Sequence, residues 1–238
     1  MVPNVGDLPM QGKKSDEIHA LAREFRTGLE NGSISRSDAK LFLSGRKEDN
    51  MGLALETRQM AAWSLFFQAG RHSVDLSNVR IPQQTDGYER LIIVPSTITA
   101  NDLLAQMKAN FDVWVSPDFN GNLDGAAEHD ERGGETYAIW VHDSAEADEH
   151  LKNLCASDIS KQSLSTITLR ERLLLGMFEF FYSRQHHDVN GGTLCSGSRL
   201  ANGKVPCVDW SSEDCQLRIA TSSDKSPPSL TRARQVIP

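Results

Sequence analysis

The sequence predicts an α+β protein: a mixed β-sheet with a β-α-β unit and a C-terminal antiparallel β-meander, helices packed on it, and an N-terminal helical segment. Three observations carry this. Apolar residues recur at helical spacing between Ser15 and Gly70. Two strand-like runs, "RLIIVP" and "DVWV", flank one capped helical pattern. Asn202-Gly203 separates two extended runs, the strongest short hairpin signal.

Taken in order, residues 1–14 carry proline and glycine without periodicity and read as a loose tail. A helical segment spans 15–70. Its first helix shows Ile18, Leu21, Ala22, Phe25 and Leu29 on one face and ends at Asn31-Gly32. A short helix fits "RSDAKLFLSG", capped by Ser35. A longer one fits "NMGLALETRQMAAWSLFFQAG", with Asp49 as cap and Gly70 as the left-handed stop.

Residues 71–90 read as irregular, and an α+β domain follows over 90–220. "RLIIVP" is a buried strand, and "TITANDLLAQMKANF" a helix with a Thr99–Asp102 capping box. "DVWV" is a strand, residues 118–134 a polar loop and "ETYAIWVH" a strand. A helix is expected in "SAEADEHLKNL", with Asp143 as cap and Glu146 completing the box. The next helix, "TLRERLLLGMFEFFYSRQ", has Thr168 and Glu171 in the same roles. A two-residue turn at Asn202-Gly203 would set Cys207 opposite Ser198 and Cys195 opposite Trp210. "CQLRIA" is the next strand, and 221–238 reads as a linker-like tail in which "RQVI" could pack back.

The apolar fraction of 39% and charged fraction of 24% place the chain among globular proteins and exclude a disordered one. The net charge of -7 is concentrated: between Phe111 and Asp158 twelve acidic residues face only Arg132 and Lys152. That surface repels nucleic acid and anionic membranes. The apolar runs are too short for a membrane helix, and the N-terminus lacks a signal-peptide core, so the expectation is a soluble, cytoplasmic protein. Cys155, Cys195, Cys207 and Cys215 are too few for a disulfide framework, and reduced thiols are expected.

Few positions carry chemistry. His142 and Asp143 stand at the carboxyl end of a strand, where ligand sites of open α/β sheets gather. His142, Asp143, His187 and Arg199 form the candidate catalytic set, weighed against a wet helix face. Cys195, Cys207 and Cys215 are candidate zinc ligands, weighed against ordinary buried thiols; their wide spacing matches no metal motif. Cys195 beside His186 or His187 is the nearest nucleophile–base pairing in sequence. No HExxH, EF-hand, CxxC, GxSxG or dinucleotide fingerprint occurs, and no cofactor or metal is expected.

Over residues 90–210, the segments "RLIIVP", "TYAIWVHDSAEADEHLKNL", "ITLRERLLL" and "TLCSGSRLANGKVPCVDW" resemble an uncharacterised group of bacterial proteins of unknown function. The resemblance implies no activity and no site residue. The expectation from the residues is a binding protein without catalysis, engaging another protein or itself through the C-terminal meander. The alternative is a hydrolase built on His142, Asp143, His187 and Arg199.

Overall fold

A computed structural model describes residues 54–128, 132, 134–226 and 229–238, with isolated positions from 20 to 31. The expected loose tail 1–14, the helix at 36–45 and the Asp49 cap lie outside the described residues. The chain divides into two compact units, Met1–Val79 and Arg80–Pro238.

In the first unit the described positions from 20 to 30 are helical, and Asn31 follows in a turn. Helix α1 spans Leu55–Ala69. Trp63, Phe66 and Phe67 are buried on it, with the Trp63 ring 5.4 Å from each of the other two. The stop falls one residue later than expected. Gly70 keeps φ -74°, and Arg71 takes the left-handed conformation at φ 59°. His72 N–H reaches Phe67 O and Arg71 N–H reaches Gln68 O, so two orphan carbonyls are satisfied in a Schellman pattern.

The second unit holds nine strands and three α-helices among the described residues. Strand β1 (Arg90–Val94) pairs antiparallel with β4 (Tyr137–Val141). Five strands form the main sheet in the order β2-β8-β7-β5-β9. These are β2 (Asp112–Val115), β5 (Gly192–Leu194), β7 (Val205–Ser211), β8 (Gln216–Ser222) and β9 (Thr231–Ala233). A two-residue ladder joins β3 (Ala127–Glu128) to β6 (Ser198–Arg199). The helices are α2 (Ala100–Lys108), α3 (Ala156–Lys161) and α4 (Leu169–Ser183). The α+β class is thus the observed one.

Both expected capping boxes form. Thr99 closes on Asp102 at the start of α2, and Thr168 on Glu171 at the start of α4. Helices α2 and α4 pack together, and α4 lies on β1 and β7. Alternation puts Val208, Trp210, Leu217 and Ile219 on the face of the main sheet that meets α4. The other face carries Leu194, Val205 and Ala233, which α3 covers with Ala156 and Ile159.

Four expectations need correction. The β-α-β order exists along the chain, but β1 and β2 enter different sheets, so they are not parallel neighbours. The parallel partner of β2 is β8, from the end of the chain. The helix expected in residues 144–154 is absent: only Glu149–Leu151 make a 3-10 turn. Asp143 cannot cap it, because its carboxylate takes two hydrogen bonds from the Arg90 guanidinium, at 3.0 and 2.7 Å.

The hairpin turn is also longer than expected. Leu200 N–H donates to Lys204 O, and Gly203 sits at φ +80°, giving a three-residue loop with glycine in the left-handed position. Ser198 and Arg199 leave to pair with β3, so the ladder starts at Leu194↔Cys207. Cys195 accordingly donates its N–H to Pro206 O and does not face Trp210. Finally, the tail is structural. Strand β9 pairs parallel with β5, and beyond it Gln235 bridges Thr166 and Ile237 bridges Trp140. Arg234 and Val236 are buried within it.

Candidate functional site

His142 follows β4 directly, and its Nδ1 lies 2.9 Å from Asp148 Oδ1. Asp148 is buried, and its Oδ2 accepts the Gln235 N–H at 2.6 Å. In the tautomer that donates from Nδ1 to this carboxylate, Nε2 is the acceptor. Nε2 makes no hydrogen bond among the described residues, and the His142 side chain keeps 31% of its surface exposed. Tyr88 stacks on the ring, with centroids 4.1 Å apart. Its hydroxyl is held above the usual tyrosine range by burial and then by the Asp148 charge. Residue 87 is glycine: a Cβ there would stand 3.7 Å from Nε2, so the small residue keeps that side of the ring open. The group can exchange a proton with something bound at the surface.

The other sequence candidates go elsewhere. Asp143 pairs with Arg90, which is itself 3.9 Å from Glu179. Arg199 pairs with Asp224 at 3.1 Å and donates to the Ser196 and Ser198 carbonyls. His187 is buried in the loop after α4. Its neighbour Asp188 is the anchor that sequence reading missed. Asp188 takes Arg172 Nε at 2.8 Å, Thr193 Oγ1 at 2.5 Å and Ala147 N–H at 3.1 Å, with Arg234 Nη2 3.9 Å away. All of this is buried, and it ties α4, β5, the residue after β9 and the 142–151 segment into one knot.

The thiols do not converge. Cys195 and Cys207 are buried, and burial pushes the Cys207 thiol up to about 12 and Cys195 well up as well. Cys215 is exposed in the turn between β7 and β8, about 13 Å of strand beyond Cys207. No group of three or more His, Cys, Asp or Glu poised for a metal occurs among the described residues. Thiols raised in this way are protonated at neutral pH and poor nucleophiles.

A shallow cleft of about 310 Å³ opens where Asp118, Asn120 and Asn122 face Leu200 and Asn202. Asp118 is held below the usual carboxylate range by hydrogen bonds from Thr221 and Lys204, and Ser116 adds a third. These partners occupy the carboxylate, which acts as a tie between the 116–120 loop, β8 and the hairpin.

The remaining feature is an edge. Strand β2 is terminal in the main sheet, and Trp114 on it is 44% exposed. Ser116 N–H donates to Ile219 O, which fixes the phase of the parallel ladder. Residues 112, 114 and 116 therefore turn their N–H and C=O groups toward β8, while Val113 and Val115 turn theirs outward. At the opposite edge, β9 covers β5. The C-terminal meander is thus flanked on both sides, and the open backbone expected there is found on β2 instead. No helix among the described residues is long and apolar enough to cross a membrane. Comparison with protein-family models, with curated proteins and with solved structures finds no match.

Proposed function

We propose that this chain acts by binding another polypeptide, with the outer edge of β2 as the contact. The carrying observation is an edge strand whose outward backbone groups stand beside an exposed tryptophan. Unpaired N–H and C=O groups are a template for an added strand, and proteins that do not use such an edge block it with charge or proline. On β2 only Asp112 offers that protection, at one end. The four unpaired cysteines fit a reducing, cytoplasmic setting. The test is capture on immobilised protein. Polypeptides retained by the wild type should be lost on Trp114→Lys, which places a charge at the edge. Equal retention by both would remove the edge from the function.

A second reading, a hydrolase, is favoured by the His142–Asp148 bond. A buried carboxylate behind an imidazole with a free Nε2 is the arrangement of a general base acting on water. In this reading the catalytic set contracts to His142 and Asp148, with Tyr88 supporting the ring. Ester, phosphoester and peptide probes test it: turnover should disappear in His142→Gln with the fold intact. No turnover of any probe by the wild type leaves binding as the function.

A further inference from the structure

The outward groups of β2 belong to Val113 and Val115, and this phase restricts what can pair with the strand. We infer that β2 pairs antiparallel with β2 of a second copy of this chain, with Trp114 on the two-fold axis. The inference rests on the binding reading above and names its partner.

The backbone phase and the side chains together favour one register. Hydrogen-bonded pairs of an antiparallel ladder must join outward-facing residues. Centring the two-fold on Trp114 sets Val113 opposite Val115 of the other copy, and Val115 opposite Val113. Two such pairs exchange four backbone hydrogen bonds. Centring on Val113 would instead set Asp112 against Trp114. Centring on Val115 would set Val113 against Pro117, which has no N–H to give.

The faces agree with the same register. Directly opposed residues share a face, so the two Val113–Val115 pairs extend the apolar face that carries Leu217 and Ile219. Trp114 meets its copy on the other face, at a non-hydrogen-bonded position where Cα atoms approach to about 4.5 Å. Cross-strand aromatic and β-branched pairs are the contacts that stabilise sheets. Charge agrees too. Asp112 falls opposite Ser116, so the acidic residue of the strand does not meet its own copy.

The contact area is limited by a four-residue strand. It is smaller than a permanent dimer interface, and the association is of the weak, micromolar kind. Both copies carry a net charge of -7, so added salt should strengthen pairing by screening repulsion.

Sedimentation equilibrium of the full chain, from micromolar to millimolar concentration, tests the inference. A monomer–dimer equilibrium is expected, strengthened by salt and absent in Trp114→Lys and in Val115→Pro, which removes one outward N–H. A register probe does not depend on those variants. In a Cys215→Ser background, Trp114→Cys should cross-link to itself on mild oxidation, because the opposed Cα distance suits a disulfide. Val113→Cys, displaced from its own copy, should not. A wild type that stays monomeric throughout, or a dimer indifferent to both edge variants, overturns self-pairing. If self-pairing fails while Trp114→Lys still abolishes capture of other polypeptides, the edge binds a different partner; if capture is also unaffected, the binding reading falls with it.

Discussion

At Asp188 one carboxylate stands among two buried guanidiniums, a threonine hydroxyl and a backbone N–H. Taking those charges out of water is costly, and only their mutual contacts offset it. Asp188→Asn keeps the size and removes the charge, leaving Arg172 without its carboxylate partner and Arg234 with only the Asp148 and Glu146 charges. A loss of about 3–5 kcal/mol is expected in denaturant unfolding of this variant. A loss below about 1 kcal/mol would show that the knot is not a stability element.

His186 gives the residue scale a pH dependence. Its ring stacks on Trp210 at 3.4 Å and on Phe180 at 5.2 Å. Burial and the nearby Arg172 charge lower its pKa from 6.5 to about 4. Between those values the unfolded chain holds the proton and the folded chain does not, so stability falls as pH falls. The contribution is complete above pH 6.5 and lost on approaching about pH 4. It is on the order of 2 kcal/mol, allowing for the ring's partial exposure. Replacing His186 by phenylalanine should flatten the unfolding free energy across that window relative to wild type. An unchanged slope would mean that the ring is protonated in the stack.

Elements whose cause is local were legible in the sequence, and elements set by distant partners were not. The Thr99 and Thr168 boxes need only residues three apart, and both form. Residues 144–154 satisfied the same local rule. There Arg90 claims Asp143 from 53 residues away, and His142 and Gln235 claim Asp148. The helix loses its cap and its first turn to tertiary contacts. His142 was legible because it ends a strand; Asp148 was not, because the absent helix would have pointed it to water. The exposed Trp114 was hidden inside a short apolar run that reads as a strand without showing which side it leaves open. Strand β9 was legible only as a segment that could pack back, since "TRARQVIP" is short and follows a proline- and serine-rich stretch. Its burial makes a strong demand: deleting residues 231–238 removes Arg234, Val236 and the bridges to Thr166 and Trp140. Cooperative thermal unfolding should disappear in that truncation. A sharp transition near the wild-type midpoint would make the segment an ornament.

On the scale of the whole molecule, the main sheet of the second unit is closed on one side and open on the other. On one side the terminal strand β9 is covered by the 148–153 segment, through Asp148 N–H to Ala233 O and Asn153 N–H to Thr231 O; β2 presents the other side with its backbone phase and tryptophan outward. Amide hydrogen exchange resolves this most directly, because neighbouring residues of β2 behave as opposites. Trp114 and Ser116 donate toward β8 and should be protected in the dilute chain. Val113 and Val115 should exchange freely there and slow when the concentration rises or a partner is added. Val113 and Val115 amides already protected in the dilute chain, or never protected under any condition, would contradict a function based on this edge.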